Sequence, residues 1–219
     1  MVRRLGYEVK LFNIVFLVVS LLSTSVAIAE KSEEEKLLEV QKSQILDRPV
    51  LMVGMGLTQL MSDDYYIGAF YIDQAAQYSG GEDLVYIEAP RRMEFRFASN
   101  RKISGRGFGR KIAEGIRINN AKTNVDDENR NLQRFIKFFK GNYKKGDVIQ
   151  FDYHDSFGTR VNLNGRRLGE INNSADLYRL LVRIWVGDRP PSSQFKKGIT
   201  GNNEAEYAIE LLRKFVSLK

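Results

Sequence analysis

The chain has 219 residues, 34 Lys and Arg against 27 Asp and Glu, a single His and no Cys, for a formal charge of +7 at neutral pH. That length suits one medium domain whose apolar core needs no staples. The missing Cys excludes disulfides, thiolate nucleophiles, Cys-held zinc and a lipoprotein anchor, and one His excludes His-rich zinc sites and most Ser-His-Asp hydrolases. With 43% hydrophobic and 28% charged residues, the chain is neither disordered nor a multi-span membrane protein.

Residues 1–29 read as an export signal. Arg3, Arg4 and Lys10 make a basic front, Leu11 to Ala29 carries no charge, and Ala27-Ile28-Ala29 has the small-x-small pattern of a cleavage site. The expectation is a periplasmic protein starting at Glu30. Nineteen uncharged residues nearly span a bilayer, but the Ser23-Thr24-Ser25 interruption argues for cleavage rather than anchoring. Export removes ATP and NAD as ligands, and no cofactor is expected. Residues 30–46 read as a polar linker or peripheral helix, with capping-box spacing at Ser32 and Glu35. The body, 47–219, shows no repeat.

Pro49 to Leu57 and Tyr65 to Ile72 are apolar throughout, the pattern of strands covered on both faces, and the short link makes them an antiparallel pair. Gly54, Gly56 and Gly68 inside them mark a close backbone approach or space for something else. Leu84 to Ile87 reads as a short strand, and Met93, Phe95 and Phe97 alternate with Glu94 and Arg96 as a half-buried one. Helical spacing follows at Phe108, Ile112 and Ile116, and at Leu132, Phe135, Ile136 and Phe139. Strands return from Ile149 to His154 and around the hairpin signal Asn164-Gly165. Leu177 to Trp185 and Glu204 to Val216 close the chain as helices. The fold class is α+β, with a mainly antiparallel sheet.

Few residues suggest chemistry. Gly105 to Arg110 resembles a phosphate loop but is not one: it lacks the Lys-Ser/Thr ending and the acidic partner, so a Gly-rich helix entry explains it. His154 reads as a solvated turn residue without a paired nucleophile. Asp63-Asp64, Asp126-Asp127-Glu128 and Asp152 read as solvated carboxylates or helix N-terminal charge. Residues 91–117 hold nine Arg and Lys against two Glu, and 130–145 add six. No nucleic-acid motif accompanies them, so nucleic acid is not expected as a partner. They read as a solvated face, with attraction to an anionic membrane surface as the functional version.

The order of several short motifs resembles the chalcone isomerase-like family, in its bacterial exported branch. They are Gly54-Met55-Gly56, Tyr66 to Ile72, Met93 to Phe97, Lys145-Gly146-Asp147, Gly158-Thr159-x-Val161 with Asn164-Gly165, and Ile184 to Asp188. The resemblance covers roughly 48–200. It implies an open-faced β-sandwich: a large antiparallel sheet covered by a layer of helices, with an apolar cleft between them. The plant enzymes close a chalcone into a flavanone with an Arg two residues after the second Gly of the G-x-G strand; here that residue is Thr58. A neutral hydroxyl cannot replace a fixed guanidinium fork. Tyr66 stands at the position of a site Thr, Phe108 and Gly115 near a site Tyr and Asn, and Tyr178 near the Ser/Thr of the late helix. The resemblance therefore implies a protein without chalcone isomerase activity. Its small acyl or aromatic ligand would lie near Gly54, Gly56, Thr58, Tyr66, Phe108 and Tyr178. The alternative is an isomerase or lyase with a rearranged site. Oligomeric state stays open.

Overall fold

The computed structural model describes residues 31–120 and 126–218; the export signal expected over 1–29 lies outside them. Seven strands form one antiparallel sheet in the order β1-β2-β3-β4-β7-β8-β9. They are β1 Lys42–Ile45, β2 Arg48–Leu60, β3 Asp63–Asp73, β4 Arg91–Phe97, β7 Val148–His154, β8 Gly158–Leu163 and β9 Arg166–Ile171, while β5 Ile103–Ser104 pairs separately with β6 Asn142–Tyr143. The β8–β9 hairpin turns at Asn164 and Gly165, both at positive φ, as a two-residue hairpin turn requires.

One face of the sheet carries Phe70, Met93, Phe95, Phe97, Phe151 and Val161 into a core closed by α3 (Gly105–Asn119), α4 (Asp126–Ile136), α5 (Ala175–Val186) and α6 (Ser193–Ile199). Apolar residues at helical spacing supply the matching surfaces, such as Phe108, Ile112 and Ile116 on α3. The opposite face meets α7 (Ala205–Ser217), where Leu211 and Phe215 pack on Met55, Ile67, Ala69 and Tyr71. Residues 31–46 are integral to this side. Helix α1 (Glu33–Val40) opens on the Ser32–Glu35 capping box, Arg213 on α7 pairs with its Glu33 at 2.9 Å, and β1 is the sheet's edge strand.

Three expectations are corrected. Leu84 to Ile87 is not a strand: α2 (Asp83–Tyr86) is a single helical turn, and its Leu84 and Val85 carbonyls accept from Arg91 Nη1 at 3.1 and 3.3 Å. A short apolar run has no periodicity to separate the two conformations. Strand β4 is not half-buried, because all seven of its residues are withdrawn from water. Its polar side faces an ionic network instead. Arg92 grips Asp152 through Nε at 2.6 Å and Nη2 at 2.9 Å, and Arg96 Nε donates to Glu94 at 2.9 Å. Arg91, Arg92, Arg96 and Asp152 therefore leave the solvated face to which sequence assigned them.

The strand glycines serve helix–sheet contact. A Cβ on Gly54 would lie 2.2 Å from the Gly198 carbonyl oxygen and 2.6 Å from Gly201 N; one on Gly56 would strike the Phe195 ring at 2.6 Å. Helix α6, which carries too few apolar residues to stand out in the sequence, thus rests on bare backbone. Gly54→Ala should cost about 1–3 kcal/mol through overpacking, read as a lower urea midpoint with faster amide exchange over residues 193–199.

The aromatic core also makes the fold sensitive to alkali. Tyr143 Oη is buried without a hydrogen-bond partner, and burial, with Asp147 nearby, pushes its phenol from 10 up to about 12. Burial also raises Tyr65, Tyr66, Tyr71 and Tyr178. The folded state holds these protons more tightly than the unfolded chain, so stability is fully present below about pH 10 and is lost as pH rises toward 12. Urea titrations across that window should show the decline, and Tyr143→Phe should reduce its slope.

Candidate functional site

Beside the N-terminal end of α6, a cleft of about 260 Å³ opens between the outer half of β2 and the helices α3 and α5. Thr58 and Tyr66, cross-strand partners on β2 and β3, form its floor. Phe108 and Ile112 of α3 make one wall, Ile184 and Trp185 of α5 another. Lys111 and Arg189 supply the basic groups of the lining, and both are solvent-exposed. Among the described residues, no arginine replaces Thr58 at the floor.

The floor combines aromatic rings with three polar atoms. Trp185 Nε1 donates to Tyr66 Oη at 3.3 Å. The Tyr66 ring meets Phe95, Phe108 and Phe195 edge-on at centroid distances of 5.1, 6.3 and 6.1 Å, an arrangement favoured by the ring quadrupoles. Burial raises the Tyr66 phenol, and the neighbouring Thr58 hydroxyl and Trp185 indole pull it part of the way back. It stays a neutral phenol at physiological pH. Thr58 Oγ1 is buried and, although beside that phenol, has no partner in hydrogen-bonding geometry.

Of the six residues that sequence grouped, Thr58, Tyr66 and Phe108 come together here; Gly54, Gly56 and Tyr178 do not line the cleft. Gly54 and Gly56 lie beneath α6. Tyr178 is buried in the core, where its hydroxyl donates to the Phe151 carbonyl at 2.9 Å and its ring lies 5.0 Å from the Arg91 guanidinium. Trp185 occupies the α5 position in the cleft instead, seven residues and about 10 Å further along the helix. Helical spacing from Leu177 to Trp185 locates the helix but not its axial register against β2, which decides that Trp185 reaches the cleft. Among the described residues, no group of three or more His, Asp or Glu is placed to hold a metal ion.

The family model for chalcone isomerase-like proteins matches residues 37–201. The chain belongs to the chalcone isomerase-like family. No curated protein matches the sequence. Among solved structures, a crystal structure of a fatty-acid binding protein from Arabidopsis thaliana superposes with a TM-score of 0.55 at 16% identity, over 80% of this chain and 92% of that one. At that identity the likeness establishes the fold, including the helix-covered antiparallel sheet.

The orphaned hydroxyl gives a direct test of the site's polarity. Leaving a buried polar group unpaired costs about 1–3 kcal/mol, whereas an apolar isostere carries no such penalty. Thr58→Val should raise stability by about 1 kcal/mol in urea unfolding of ligand-free protein. Loss of stability would show that the hydroxyl is already satisfied.

Proposed function

We propose that this protein binds a small, largely apolar acyl or aromatic molecule in the Thr58–Trp185 cleft and performs no chemistry on it. The observation that carries this reading is the floor: a buried, unpaired hydroxyl and a neutral phenol set among aromatic walls, without a buried cation. Such a floor can donate to and accept from a carbonyl or hydroxyl. It cannot supply the permanent charge that the family's enzymes use to polarise an enone and steer a phenolate. At about 30 Å³ per water-sized group, the cleft holds about nine heavy atoms: one aromatic ring or the end of an acyl chain. The fatty-acid binding protein that shares this fold supports the ligand class. The basic, uncharged and small-x-small sections of residues 1–29 support export and action outside the cytoplasm. On this reading the chalcone isomerase-type lyase, the alternative, has lost its electrophile.

Trp185 is the sole tryptophan and lines the cleft, so its emission reports occupancy. Protein purified gently from its own cell envelope should carry an apolar compound, detected by native mass spectrometry, and a mature N-terminus at Glu30. Adding the extracted compound back should shift Trp185 emission, and Ile118→Trp, which adds bulk at an exposed lining position, should exclude it. An empty cleft after gentle purification would overturn the carrier reading. Chalcone turnover lost in Thr58→Val would favour the lyase.

A further inference from the structure

A second and larger cavity, of about 970 Å³, lies on the opposite face of the sheet, between the strands and the helices α1 and α7. Its floor is built from three neighbouring strands. Tyr71 on β3, Glu94 and Arg96 on β4 and Gln150 on β7 line it, and Glu94 and Gln150 are direct cross-strand partners. The floor is held rigidly. Glu94 has both oxygens engaged, one by Arg96 Nε at 2.9 Å and the other by Gln150 Nε2 at 2.8 Å. Tyr71 Oη donates to the Val40 carbonyl at 2.9 Å, which ties the floor to the end of α1.

Arg96 is the informative group. It is only 4% exposed, its Nη1 donates to the Phe215 carbonyl at 2.8 Å, and its guanidinium stacks 3.8 Å from the Phe215 ring centroid. Those contacts and the Glu94 pair fix the guanidinium plane. Its third nitrogen, Nη2, makes no hydrogen bond among the described residues. Nη2 is not one of the buried side-chain atoms left unpaired, so it opens on the cavity, and a donor held there in fixed orientation offers a hydrogen bond to an acceptor supplied from outside. The charges around it set that acceptor's sign. Four basic side chains line the cavity (Lys31, Lys36, Lys42 and Arg96) against two carboxylates (Glu39 and Glu94), a surplus of two positive charges.

We propose that this cavity is a binding site for a small organic dianion, a dicarboxylate. One carboxylate accepts from Arg96 Nη2 at the floor, and the other lies toward the lysines. Arginine suits the inner position because its planar fork matches carboxylate geometry, and the lysines act as looser point charges. Val40, Val148 and Val216 in the lining fit the methylenes between the two charges. The site is separate from the aromatic cleft, which has neutral polar atoms at its floor and lies across the sheet.

The test uses linear dicarboxylates, succinate through suberate, titrated calorimetrically into the protein against chloride at matched ionic strength. At least one should bind, more weakly as salt rises, and without changing Trp185 emission, because Trp185 faces the other side of the sheet. Arg96→Gln strands the buried Glu94 and can fail to fold, so two gentler variants decide. Lys42→Glu, on the exposed edge strand, should weaken binding by about tenfold, and Val216→Trp should fill the space and abolish it. The proposal is overturned if no member binds beyond the chloride control, if both variants bind as the native protein does, or if binding quenches Trp185. None of these outcomes bears on whether the aromatic cleft holds an apolar ligand.

Discussion

Charge held inside the sheet is the constraint on which the rest of this structure depends. Because helices cover both faces, all of β4 is withdrawn from bulk water, and its Arg92, Glu94 and Arg96 must each find partners, which for Arg96 are Glu94 of its own strand and the Phe215 carbonyl of α7. Asp152 and Gln150 on β7 serve Arg92 and Glu94, with Asn162 on β8 adding a bond to Asp152 at 3.1 Å. Removing one member of such a pair typically costs about 3–5 kcal/mol, because the other is left charged and dry. The network therefore fixes the register of β4 against β7 as firmly as the aromatic packing on the other face.

That division of labour gives the two faces different chemistry. Toward α3, α4, α5 and α6 the sheet presents rings, and the space left over is a narrow aromatic cleft with neutral polar atoms at its floor. Toward α1 and α7 it presents ions, and the space left over is broad and electropositive. The aromatic side chains of β3, β4 and β7 make the first face. The second follows from where this chain places its buried arginines.

Much of the fold was readable in advance because it rests on local patterning. The unbroken apolar runs of β2 and β3, the Asn164-Gly165 hairpin and the helical spacing of α3 and α5 each announce their element without help from tertiary structure. Thr58 and Tyr66, grouped in advance only through the family resemblance, face each other across β2 and β3 because β2 runs on past Leu57 to Leu60. What escaped was settled by distant partners. Arg91, Arg92 and Arg96 look like surface charge until α2, β7 and α7 supply their acceptors. Gly54 and Gly56 look like room for a ligand until α6, itself weakly patterned, settles on them. Tyr178 and Trp185 share one stripe of α5, and only the axial position of that helix decides which reaches the cleft.

The seating of α6 on bare backbone reaches beyond stability. A helix that rests on side chains can slide as rotamers change, but one whose carbonyl fits against a glycine strand has no such slack. Just before α6, the lining of the cleft includes Pro190 and Pro191, whose rings fix their own backbone torsions. The segment that joins α5 to α6 is thus stiff at both ends, so a molecule entering the cleft would meet an aperture of fixed width.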